Sequence, residues 1–109
     1  MATGIEKANV VDLLTVDPKT GQHALIMVAS EPWTDERVLA LQAKTQAYLS
    51  FVESGELVRL YPGASGKSLR FQLDTAYALS GLAAKFVAAA KREWLAPVGI
   101  EFLVNEVRQ

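Results

Sequence analysis

The chain contains no cysteine, which excludes disulfides, thiol nucleophiles and thiolate metal sites together. Nucleophilic chemistry would fall to serine, threonine, lysine or a carboxylate. Histidine is almost absent as well. His23 is the single imidazole, so no multi-histidine metal centre is expected, and a Ser-His-Asp arrangement would have to use that one ring. Excess charge of either sign is missing: eleven Lys and Arg stand against twelve Asp and Glu, a formal net charge of -1. The basic residues are dispersed, the closest being Lys91-Arg92 and Lys67 with Arg70. Such a chain has no field to attract phosphate backbones or anionic lipid, so neither nucleic acid nor membrane is expected as a partner. No segment approaches the about 20 apolar residues that span a bilayer. The start, MATGIEKANVVD, lacks a basic stretch followed by an apolar run. The expected location is cytoplasmic.

What is present is the composition of a folded protein. Half of the 109 residues are hydrophobic and 21% are charged, far from the polar excess of disorder. One domain over residues 1–109 is expected. Val10 to Val16 is rich in β-branched residues, Asp17-Pro18-Lys19-Thr20-Gly21 gathers turn formers, and His23 to Ala29 is a second apolar run. Two such runs around a glycine-containing turn predict a β-hairpin.

Thr34, Asp35 and Glu36 open a helix, with Thr34 as the cap and Trp33 and Val38 in the positions of a hydrophobic staple. Val38, Leu41, Thr45, Tyr48 and Val52 recur at spacings of three and four, with Leu49 widening the stripe, before Ser54-Gly55 ends the helix. Leu57 to Tyr61 is compatible with a helical turn, a short strand or a loop, closed by Pro62-Gly63. Ser68 to Thr75 alternates: Leu69, Phe71 and Leu73 on one face, Arg70, Gln72 and Asp74 on the other. Ser80 opens a second helix whose stripe is Leu82, Ala83, Phe86, Val87, Ala90 and Trp94, stopped by Pro97 and Gly99. Ile100 to Val104, continuing toward Val107, forms the last strand.

The order β-β-α-β-α-β predicts an α+β fold, a four-stranded sheet with two helices packed on one face, because right-handed returns place both helices on the same side. The other face is then open. The first, second and last strands carry apolar residues at both parities, so Leu13, Leu25, Met27 and Leu103 are expected to share that face as an interface. A homodimer is the expected assembly, with another protein as a possible partner.

Reactive constellations are weak. Gly63-Ala64-Ser65-Gly66-Lys67-Ser68 ends like a phosphate loop, but the position that needs the first glycine holds Tyr61, and a strand follows where a helix is required. His23 reads as an exposed strand-end residue, and Asp12, Asp17 and Asp74 as solvated carboxylates rather than a metal or acid-base pair. Tyr61, Lys67 and Arg70 could meet around the turn after the first helix to receive an anion, with Tyr77 at the rim. Trp33, Tyr48, Phe51 and Trp94 read as packing residues. No catalytic residue, cofactor or metal is expected.

The residues Leu41-Gln42-Ala43-Lys44, Ala47-Tyr48-Leu49-Ser50-Phe51, Glu53-Ser54-Gly55-Glu56, Tyr61-Pro62 and Gly66-Lys67 together resemble a bacterial family catalogued as domain of unknown function 6572. Asn9-Val10-Val11-Asp12, Asp17-Pro18, Trp33 and Asp35-Glu36 extend the likeness, which runs from about Asn9 to about Leu103. Thr75-Ala76-Tyr77-Ala78-Leu79 departs from it, where the family tends to a Tyr-Pro-Pro-like turn. The resemblance implies a bacterial origin and this element order, and supplies no catalytic or ligand residues. The expected function is a non-enzymatic protein-interaction domain that self-associates through the open sheet face. The alternatives are a small-molecule or anion binder, or an enzyme, with a groove near residues 57–77, and a protector of a neighbouring gene product.

Overall fold

The computed structural model of the chain describes residues 4–5, 11–79 and 81–107. Its elements are β1 (Leu13–Val16), β2 (His23–Ala29), α1 (Asp35–Glu53), α2 (Glu56–Leu60), β3 (Leu69–Thr75), α3 (Gly81–Ala90) and β4 (Glu101–Glu106). The sheet order is β1-β2-β3-β4: β1 and β2 form the antiparallel hairpin, while β2, β3 and β4 run parallel. The fold class and the element order follow the pattern of the sequence, and α2 resolves the ambiguous stretch after the first helix.

Helices α1 and α3 cover one face. The register aligns Leu14, Leu25, Phe71 and Phe102 in one row and Met27, Leu73 and Val104 in the next, and these residues pack with Leu41, Tyr48, Val87 and Ala90 of the helices. Tyr48 meets Phe71 edge-on, with ring centroids 5.8 Å apart, a favoured aromatic geometry. Thr34 caps α1 as its sequence suggests, its side chain accepting from the Arg37 amide.

Two elements depart from expectation for identifiable reasons. The first strand is shorter than Val10 to Val16 (Val10 lies outside the described residues) because Asp12 leaves the ladder: its carboxylate, not its backbone, takes the Val28 amide, at 2.9 Å. Helix α3 ends in a π turn, Lys91–Leu95, whose wider winding advances the buried position from Trp94 to Leu95, fully enclosed. Trp94 is part-buried instead, edge-on to Phe86 at 5.4 Å. Leu82, expected in the stripe, is 57% exposed. Ser80, its expected opening residue, lies outside the described residues. Gly99, at φ 74°, then reverses the chain, with Ile100 N–H donating to the Leu95 carbonyl at 3.0 Å, and β4 begins. Among the described residues, no helix is long and apolar enough to cross a membrane.

Candidate functional site

At the end of the sheet where β2, β3 and β4 begin, the chain encloses a groove of about 300 Å³. Local sequence explains how it forms. Gly55, at φ 87°, turns the chain after α1 so that α2 doubles back and buries Leu57. The exposed side of α2 carries a two-armed Arg59–Glu56 pair, 2.8 Å on each arm. That guanidinium holds the Glu56 carboxyl below its usual range. A 3-10 turn, Pro62–Ala64, tucks Ala64 inward, and Gly66, at φ 73°, delivers Lys67 and Ser68 to the start of β3. Val52, Leu57, Ala64, Leu69, Val98 and Ile100 supply apolar walls, and His23, Glu53, Lys67 and Ser68 supply the polar ones.

His23 is only 6% exposed, a correction to its reading as a solvated strand-end residue. Its Nδ1 lies 2.9 Å from the Gly21 carbonyl oxygen. A carbonyl only accepts, so Nδ1 carries the proton there and Nε2 of the neutral ring keeps its lone pair. No hydrogen bond engages Nε2 among the described residues. Lys67 stretches over Gly21: a Cβ at that glycine would lie 3.4 Å from Lys67 Cδ. The ammonium of Lys67 makes no ion pair among the described residues. The Gly-Lys-Ser sequence thus contributes to a site, but through a turn entering a strand and without the phosphate-loop geometry.

The residues singled out from sequence are dispersed. Of Tyr61, Lys67, Arg70 and Tyr77, only Lys67 lines the groove. Tyr61 points to solvent beside it, and Arg70 lies on the opposite face of the sheet, bonded to Gln22 and Gln72. Tyr77 follows β3 at its far end, where its carbonyl accepts from Trp33 Nε1 at 3.3 Å. The four do not converge because the strand parity of β3 sends residue 70 away from the helix layer while its length separates 67 from 77. The proposed interface set divides too. Leu25 and Met27 are fully buried under the helices, whereas Leu13, 50% exposed, and Leu103, 47% exposed, are on the outer face. The apolar runs misled because β2 is central and covered on its even and odd positions alike, Ala24 and Ile26 being buried as well.

The outer face is half polar. Gln22 donates to Glu101 at 2.6 Å and accepts from Arg70 at 2.7 Å. Arg70 continues to Gln72, Gln72 to Asp74, and Asn105 also donates to Asp74.

A buried polar cluster escaped the sequence reading. Lys44 Nζ and Asp12 Oδ1 lie 2.6 Å apart with both side chains fully buried, which corrects the solvated reading of Asp12. Lys44 also donates to the Gly4 carbonyl at 2.6 Å, and Asp12 accepts from the Gly4 amide at 2.7 Å. Tyr48 Oη accepts from the Asp12 amide at 2.9 Å and donates to the Ile26 carbonyl at 2.8 Å. The available signal was position: Lys44 falls between Leu41 and Tyr48 on the buried stripe. These groups satisfy one another and the uncovered edge of β2, and they pin the Gly4–Ile5 segment, so their work is structural. No group of three or more His, Asp or Glu able to hold a metal occurs among the described residues.

The chain belongs to the family of unknown function DUF6572, whose model matches residues 3–108. Comparison with curated proteins and with solved structures finds no match.

Proposed function

We propose that the groove at the start of β2, β3 and β4 binds a small, mainly apolar molecule that ends in a carboxylate. One observation carries this reading: a concave, largely apolar space holds two polar groups with unspent capacity, His23 Nε2 and the Lys67 ammonium. Its volume of about 300 Å³ is at the lower end for small-molecule sites, which pair apolar walls with a few placed polar groups. Lys67 would receive the carboxylate. His23 Nε2, an acceptor once Nδ1–H is spent on Gly21, is placed for a hydroxyl or N–H donor elsewhere on the ligand, and Glu53 at the rim disfavours ligands with more than one negative charge. The site sits where the C-terminal, electronegative end of α1 arrives, which weighs more heavily against a doubly charged phosphate than against a single carboxylate held by Lys67.

The test is calorimetric titration with a panel of short aliphatic and aromatic monocarboxylates, their uncharged amides, and inorganic phosphate. Some monocarboxylate is expected to bind, its amide at least tenfold more weakly, and Lys67→Gln to weaken it by about 10- to 100-fold, the range of a charge-assisted hydrogen bond. Absence of binding across the panel at millimolar concentration, or binding untouched by Lys67→Gln, would overturn the reading.

A further inference from the structure

We infer that the outer face of the sheet docks against the same face of a second copy of this chain, about a two-fold axis lying between the sheets and running across the strands. The face is organised in rows by the register. The middle row is Leu13, Ile26, Gln72 and Leu103, and the rows on either side bring Ala24, Arg70 and Glu101 into one line and Val28, Asp74 and Asn105 into the other. An axis along the middle row returns each of its residues to its own copy and exchanges the outer rows. Leu103 then meets Leu103, and Leu13 meets Leu13. Arg70 meets Asp74 of the second copy and Glu101 meets Asn105, while Ala24 and Ile26, already buried within the chain, add no contact of their own.

The two exchanged pairs on β3 and β4 are complementary in charge or polarity. This follows from the antisymmetric order of β3, positive at 70, neutral at 72 and negative at 74. An axis parallel to the strands keeps Arg70 and Asp74 at different levels, setting Arg70 on Arg70 if it lies over β3 and on Ala24 if it lies between β2 and β3, so only the axis across the strands pairs the two charges. Capacity for the cross-pair exists. Arg70 commits Nε to Gln72 and Nη1 to Gln22, and Asp74 accepts through Oδ1. Arg70 Nη2 and Asp74 Oδ2 make no hydrogen bond among the described residues. The half-exposed Leu13 and Leu103 flank that pair and would lose water on docking.

A nucleic acid or an anionic membrane is a poorer occupant, since the face offers one guanidinium against Asp74 and Glu101. Sheets packed face to face align within about 30°, which leaves the central pairs in reach. The four strands span only about 14 Å from first to last, so the interface is at the small end for specific association. A dissociation constant on the order of 10 μM is expected.

Sedimentation velocity across a dilution series up to several hundred micromolar tests this. Wild type is expected to move from the 11.8 kDa chain mass toward twice that value. Asp74→Arg, which sets arginine against arginine, should weaken association at least tenfold, and the double variant R70D/D74R should recover it. Leu103→Asp, at an exposed position, gives a second monomerising variant should the β3 changes disturb folding, which circular dichroism reports. A monomeric wild type at every concentration would overturn the inference. So would undiminished self-association of a folded Leu103→Asp variant, or a folded Asp74→Arg variant that dimerises as wild type.

Discussion

Lys44 is the residue that most constrains this protein. An ammonium and a carboxylate held 2.6 Å apart without solvent are tolerable only because their remaining capacity is also met, by Gly4 and by the Val28 amide. Buried pairs add little net stability compared with apolar replacements, but removing one partner strands the other charge, at about 3–5 kcal/mol. Lys44→Met and Asp12→Ala are therefore each expected to lose that much in urea denaturation, a large share of the roughly 5–15 kcal/mol of a typical domain. The double variant should lose less than the sum of the two, because no charge is left unpaired while the Val28 amide is still orphaned. Strict additivity would show that the two groups are not coupled. Sequence periodicity located residue 44 on the covered stripe, yet lysine's usual exposure hid the consequence, and nothing local linked it to Asp12, 32 positions earlier.

Among the elements, the α1–α2 corner governs the groove. Gly55 occupies a left-handed conformation, and a Cβ there would meet nothing within 4 Å. The cost of Gly55→Ala is accordingly one of backbone conformation alone, about 1–2 kcal/mol. A drop in melting temperature of roughly 5–10 °C is expected for a chain of this size, checked by thermal denaturation. A larger loss would mean that α2 repacks. Glycine after Ser54 was legible as a helix stop from the sequence. The direction in which α2 folds back, and hence the existence of a groove, was not, because it depends on Leu57 finding the core between α1 and the sheet. The π turn after α3 was equally hidden: it shifts the buried position by one residue, and the choice between Trp94 and Leu95 is made by the space beside β4.

For the whole molecule, Tyr48 joins the parts. It packs on Phe71 of the sheet, accepts from the Asp12 amide and donates to the Ile26 carbonyl. Burial pushes its phenol well above the ordinary value of 10.0. The folded state therefore binds this proton more tightly than the unfolded chain does. The associated stability is fully present below about pH 10 and is lost as pH rises from there through the folded value. The urea midpoint of wild type should fall as pH rises from about 10 upward. Tyr48→Phe should start about 1–3 kcal/mol lower, having orphaned two main-chain groups, and should fall less steeply. Parallel slopes for the two proteins would exclude Tyr48 as the source.

By itself the sequence determined the element order, the capped first helix, the parity of β3 and the family. These rest on short-range rules: helical and strand periods, capping by Thr34, and glycine at positive φ. Tertiary structure alone decided what the elements enclose. It buried Asp12 against Lys44, turned Leu25 and Met27 under the helices, left Leu13 and Leu103 outside, and set His23 and Lys67 around one groove. Those outcomes depend on which strand edge is free and which face is covered, and both are set by contacts between residues tens of positions apart.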